Sequence, residues 1–136
     1  MQIKDVMSKD VHTVRQDQTV EEILDLFLNE HIHGAPVLDG DERLVGVVTQ
    51  QDLFFATMTR PGSGNPSTRS FGEMKVSEIM TSPAVSAPDG ADVRSLCRMM
   101  HRLRIHRVPI VRDGKVIGVV SSIDICGALA VGAGFG

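Results

Sequence analysis

The 136-residue sequence has no tryptophan, no tyrosine and only five phenylalanines. Proteins that bind single-stranded nucleic acid stack bases on aromatic rings, so this composition argues against such a role. Cysteine is equally scarce. Cys97 and Cys126 are too few for a disulfide framework, and a reducing cytoplasm is the expected setting. No apolar run approaches the roughly 20 residues that cross a bilayer. The leading Met1-Gln2-Ile3-Lys4-Asp5 lacks the basic and apolar regions of a signal peptide. A net charge of −3 gives no global attraction to nucleic acid or to an anionic membrane. Hydrophobic residues make up 42% and charged residues 23%, an ordinary globular balance. The length suits one compact domain or two small units that share a core.

What the chain does contain is a repeat. Ile3-Lys4-Asp5-Val6-Met7 resembles Val76-Ser77-Glu78-Ile79-Met80, at an offset of 73. The same offset carries Val20 to Val93, Phe27 to Met100, His33 to His106 and Pro36 to Pro109. One residue is then lost, and at an offset of 72 the segment Gly46–Asp52 lands on Gly118–Asp124. Two tandem copies are expected, 1–58 and 74–131. A Gly/Pro/Ser-rich linker spans 59–73, and an apolar, Gly-rich tail spans 132–136. Gly62 and Gly64 in the linker lack the Gly-Lys-Ser/Thr that a phosphate loop needs.

Each copy reads as strand, helix, strand, strand, helix, which predicts an α/β fold. Val20, Ile23, Leu24, Phe27 and Leu28 recur at helical spacing, with Thr19 and Glu22 as a capping box. The matching helix has Asp92 as its N-cap residue. Two short apolar runs follow, joined through Asp39-Gly40-Asp41 in one copy and Arg112-Asp113-Gly114-Lys115 in the other, a hairpin signal. A copy of about 55 residues buries too little surface to be robust alone. Two copies packed sheet to sheet, related by a pseudo-twofold axis and leaving two clefts, would solve that problem.

Three segments carry a resemblance. They are the leading Asp/Glu-hydrophobic-Met, the Ile-His-x-x-Pro, and the Gly-hydrophobic-hydrophobic-Thr/Ser-x-x-Asp. Present twice, in order and at one period, they resemble a pair of cystathionine-β-synthase (CBS) domains, a Bateman module. The resemblance implies β-α-β-β-α modules that bind AMP, ADP, ATP or S-adenosylmethionine and regulate another protein without catalysis. It implies no obligatory cofactor, a homodimer, and an unidentified regulated protein as partner. Asp52 and Asp124 would accept hydrogen bonds from the two ribose hydroxyls. Thr49 and Ser121 would face the phosphate end, where a helix N-terminus favours an anion. His33, His106 and Arg107 would join them, Arg107 bringing the strongest charge. His12, Ile32, Val85 and Ile105 would lie on the base side, His12 toward Asp124 and Val85 toward Asp52.

The same residues have plainer readings. Thr49-x-x-Asp52 and Ser121-x-x-Asp124 are also helix-capping patterns that need no ligand, and a ligand-free dimerisation module is the alternative function. Cys97, His101 and His106, or His31 and His33, do not make up the three or four convergent ligands of a metal site. No nucleophile–base arrangement at motif spacing stands out, so no enzyme is expected. Arg94, Arg98 and Arg102 form a basic strip, whereas copy one has Glu21, Asp25 and Asn29 there. Such a strip is a solvated face, a dimer contact, or a dock for an acidic partner or nucleic acid. In a head-to-tail dimer the acidic and basic positions would meet.

Overall fold

The computed structural model describes residues 1–59 and 70–132. Residues 60–69 of the expected linker and 133–136 of the expected tail lie outside the described residues. The element order is β1 (Val14–Arg15), α1 (Val20–Glu30), β2 (Gly34–Leu38), β3 (Leu44–Thr49) and α2 (Gln50–Thr59), then β4 (Ala87–Pro88), α3 (Val93–Leu103), β5 (Arg107–Arg112), β6 (Lys115–Ser121) and α4 (Ser122–Ala130). Two three-stranded sheets result, ordered β1-β2-β3 and β4-β5-β6. In each, the first pair is parallel and the second antiparallel. The expected strand–helix–strand–strand–helix order is present twice.

The compact units are not the sequence repeats. One unit combines Met1–Val11 with Val85–Gly136, and the other is His12–Ala84. The first eleven residues therefore pack with the second copy. Ile3-Lys4-Asp5 forms a short 3-10 turn whose Ile3 is fully buried among Val93, Leu96, Ile110 and Val120. Ile3 N–H donates to the Ala91 carbonyl (2.9 Å) and Lys4 N–H to that of Asp89 (3.0 Å). The 3-10 turn Val76-Ser77-Glu78 does the same for the first copy. Val76 is buried among Val14, Val20, Ile23 and Val37, and its N–H donates to the Gln18 carbonyl (2.9 Å).

The glycine of each Gly-Val-Val run explains how the crossing segment fits. Val119 and Ser8 exchange backbone hydrogen bonds of 2.9 Å in both directions, and Val47 and Thr81 do so at 3.0 and 2.9 Å. A Cβ on Gly118 would lie 2.8 Å from both the Met7 sulfur and the Ser8 carbonyl oxygen. One on Gly46 would lie 2.7 Å from the Met80 sulfur and 2.8 Å from the Thr81 carbonyl oxygen. Only a residue without a side chain admits the leading Met against the outer strand, which would otherwise be an open edge.

Helix caps depart from the sequence reading in two places. Asp92 stands at the N-cap of α3, but its side chain makes no capping hydrogen bond. Thr19 Oγ1 accepts from Glu22 N–H (3.2 Å), whereas the Glu22 carboxylate accepts from the Gln18 side-chain amide (3.2 Å) and does not return to Thr19. The capping box at α1 is thus half formed.

Candidate functional site

In each unit, the end of the third strand, the start of the following helix and the start of the middle strand come together. Thr49 pairs with Gly34, and Ser121 with Arg107. The first helical N–H groups donate to the strand-start carbonyls, Gln50 to His33 (2.9 Å) and Ser122 to His106 (2.8 Å). His33, Thr49 and Asp52 therefore share one corner of the His12–Ala84 unit. His106, Arg107, Ser121 and Asp124 share the equivalent corner of the other. The imidazoles and the Arg107 guanidinium belong to exposed residues, while Asp52 and Asp124 are half-buried.

Both aspartates are held by complete capping boxes. Asp52 Oδ2 accepts from Thr49 N–H (2.8 Å), and Asp52 N–H donates to Thr49 Oγ1 (3.3 Å). Asp124 Oδ2 accepts from Ser121 N–H (2.9 Å), and Asp124 N–H donates to Ser121 Oγ (3.2 Å). Among the described residues only Oδ2 of each carboxylate is engaged, which leaves Oδ1 as an acceptor fixed in direction by the box. The hydroxyls differ. Thr49 Oγ1 donates to Asp52 Oδ2 (3.1 Å), whereas Ser121 Oγ has no acceptor among the described residues. Ser121 thus retains a donor that Thr49 has committed, and its neighbour across the strand pair is Arg107.

Ile32 and Ile105 are half-buried and follow His31 and Arg104, whose φ values of 54° and 57° are left-handed. Their N–H groups close the preceding helices onto the Phe27 and Met100 carbonyls. His12 opens the unit that holds Asp52, and Val85 opens the second segment of the unit that holds Asp124. His12 is exposed and stands 3.9 Å from the Glu30 carboxylate; Val85 is 39% exposed. The segments that cross between copies are Met7–Ser8 and Met80–Thr81, just ahead of these two residues.

Two features were not read from the sequence. Asp5 and Glu78 of the leading motif also turn back, accepting from Gln2 N–H (2.8 Å) and Lys75 N–H (2.7 Å). An acid three residues after a turn start was the available signal. The second feature is the ion pair of Arg112 with Asp89. The bonded guanidinium holds the Asp89 carboxyl below its usual value and raises the Arg112 pKa in return. Neither partner has a counterpart pair in the first copy, where Gln16 and Asp39 occupy the equivalent positions. Burial, then the nearby Asp92 and Cys126, raises the Cys97 thiol, so it is not an activated thiolate. Among the described residues no three His, Cys, Asp or Glu side chains converge as metal ligands. Likewise, no described helix is long and apolar enough to cross a membrane.

A family model for the CBS domain matches residues 3–58 and 76–131. The CBS domain pair of protein MJ0100, solved in complex with 5′-methylthioadenosine and S-adenosyl-L-methionine, is 25% identical. It aligns at a TM-score of 0.78 over 95% of this chain and 99% of that one. CBSX2 in complex with AMP is also 25% identical, at a TM-score of 0.78 over 96% and 97%. Protein MJ1426 of Methanocaldococcus jannaschii is 29% identical across 95% of this chain and 91% of its own length. Inosine-5′-monophosphate dehydrogenase of Nitrosopumilus maritimus is 31% identical across 88% of this chain. The chain spans only 22% of that enzyme, and 40% of protein MJ1225 of M. jannaschii.

Proposed function

The chain belongs to the CBS domain family, and from that premise we propose that it is a regulatory sensor of an adenosine-containing ligand. The candidates are AMP, ADP, ATP and S-adenosylmethionine. The observation that supports this most is the duplicated corner. Each unit offers a directed carboxylate oxygen, a helix N-terminus and a strand-start histidine, and two aligned CBS pairs are complexed with adenosine compounds. In this reading Oδ1 of Asp52 and of Asp124 accepts from ribose hydroxyls. Ser121, His106 and Arg107 receive a phosphate, and Thr49 and His33 serve the same end in the first unit with less charge. His12, Ile32, Val85 and Ile105 supply the apolar and edge contacts to the base.

The role is regulation of a partner protein, in the cytoplasm and as a homodimer, without catalysis by this segment. The part shared with inosine-5′-monophosphate dehydrogenase is a fifth of that enzyme's length, and burial raises the Cys97 thiol away from an activated state. The second reading is a ligand-free module, which the capping boxes favour, because they account for both Thr/Ser-x-x-Asp motifs without any ligand.

Thermal shift separates the two. A ligand present at 100 times its dissociation constant adds about 2.7 kcal/mol to the folded state. For a chain of this size that raises Tm by several degrees. AMP or S-adenosylmethionine is expected to do so for the wild type and to lose most of the effect with Asp52→Asn plus Asp124→Asn. No shift with any adenosine compound at millimolar concentration establishes the ligand-free module. For the phosphate role, Arg107→Ala is expected to weaken AMP binding by roughly 1.5–3 kcal/mol, the range for hydrogen bonds to charged groups. Adenosine binding should hardly change, and equal losses for the two ligands in calorimetry would remove Arg107 from the phosphate site.

A further inference from the structure

Two methionines hold the same place in their respective units. Met7 and Met80 end the leading motifs, and each is half-buried against the hydrophobic core of its own unit. Their sulfurs rest on strand glycines. The Met7 sulfur is 2.8 Å from where a Cβ on Gly118 of β6 would stand, and the Met80 sulfur is 2.7 Å from that of Gly46 of β3. Next to each lies the two-way backbone pair that fastens the segment to the strand, Ser8 with Val119 and Thr81 with Val47. The nearby main chain has little to offer a polar atom. The N–H groups of Ser8, Val119, Thr81 and Val47 are committed to those pairs. Met7 N–H donates to the Ile3 carbonyl (3.0 Å) and Met80 N–H to that of Val76 (2.9 Å). A thioether needs no donor and packs well in such a place. A sulfoxide oxygen is a polar acceptor, and burying it without a donor is costly. Water supplies that donor once the segment draws away from the glycine.

We propose that Met7 and Met80 are oxidant-responsive modification sites, whose conversion to the sulfoxide by a hydroperoxide releases the crossing segments from β6 and β3. With hydrogen peroxide, a sulfur lone pair attacks one peroxide oxygen. The S–O bond forms and the O–O bond breaks. The departing hydroxide takes the proton from the attacked oxygen and leaves as water. The sulfur is oxidised and the peroxide reduced. Two thiols acting through a sulfoxide reductase reverse the change, the oxygen leaving as water and the thiols joining as a disulfide. Release reaches beyond the methionines, because the same segments carry Ile3 and Val76 into the cores and cover the outer strand edges. The inference is independent of the ligand, since neither methionine belongs to the site described above.

Peroxide titration with peptide mapping and amide hydrogen exchange tests it, in a Cys97→Ser, Cys126→Ser parent chain that confines the chemistry to sulfides. Met7 and Met80 are expected to gain oxygen well before Met100, which is only 7% exposed. In the oxidised chain the Val119 and Val47 amides should exchange about tenfold faster. Their fast fractions should follow the oxidised fractions of Met7 and Met80 respectively, and a sulfoxide reductase with dithiothreitol should restore both rates. Met7→Leu with Met80→Leu, close in volume, should keep slow exchange after peroxide. Met74→Leu with Met99→Leu should leave the response intact. Should the leucine chain fold poorly, the titration of the parent chain decides alone. Unchanged exchange in chains oxidised at both methionines, acceleration that survives their replacement by leucine, or Met100 reacting first would each overturn the proposal.

Discussion

At the residue scale, one atom's worth of space decides whether the crossing segment can dock. A methyl group on Gly118 would point at a backbone carbonyl, that of Ser8, which cannot move aside as a flexible side chain can. Gly118→Ala is therefore expected to cost about 1–3 kcal/mol, in the range of overpacking. Gly40→Ala, with nothing within 4 Å of the added carbon and no positive φ, should be neutral or add about 0.4–1 kcal/mol through the unfolded chain. Urea unfolding of the pair checks this, and equal midpoints would mean that the Met7 segment is not held against β6. The Asp89–Arg112 pair yields a pH prediction. Because the folded Asp89 pKa is depressed, its contribution is complete above the ordinary carboxylate value near 4. It is lost as pH falls below that value through the folded one. Asp89→Asn should therefore flatten the stability profile on the acid side of about pH 4, and leave it unchanged near neutrality apart from a constant offset.

At the element scale, periodicity and turn chemistry carried most of the fold, and their failures have local causes. The Asp113-Gly114 turn forms as its dipeptide implies, both residues having positive φ (53° and 79°) between the paired Arg112 and Lys115. Asp39-Gly40 does not. The loop there is one residue longer, and the Asp39 carboxylate accepts from the Asp41 and Arg43 N–H groups, so the left-handed residue is Glu42. The shift of the repeat offset from 73 to 72 recorded that extra residue. The left-handed ends of α1 and α3 could not be read, since they fall on His31 and Arg104 where glycine would be the usual signal. Glycine relieves the Cβ clash there but adds freedom to the unfolded chain. Arg104→Gly is expected to gain about 0.5–1 kcal/mol, seen as a Tm higher by a few degrees. A lower Tm would show that the Arg104 side chain makes stabilising contacts of its own.

At the scale of the whole chain, the candidate corners were more legible than the partition. The paired Thr/Ser-x-x-Asp, the histidines and Arg107 were visible because each corner is built from residues close together in one copy, joined by a hairpin. The compact units were not visible, because a repeat in sequence reports duplication, while compactness reports which surfaces bury each other. Ile3 and Val76 are both fully buried, each in the core of the other copy. Burial of side chains of this size is worth roughly 1.5–3 kcal/mol apiece, a large share of the stability of a unit of this size. The two partitions predict different behaviour from fragments. Residues 1–59 hold one whole repeat but lack Val76 and the Thr81 edge. Residues 12–84 cut both repeats but keep them. The 12–84 fragment is expected to show dispersed amide resonances and slow hydrogen exchange at Val37 and Val48, and the 1–59 fragment is expected to show neither. Removing Met1–Ser8 from the full chain should speed exchange in β6 of the second copy, at Val119 and Val120, and spare β3 of the first. If exchange rises in β3 instead, the leading segment stabilises its own repeat and the crossing of the copies is wrong.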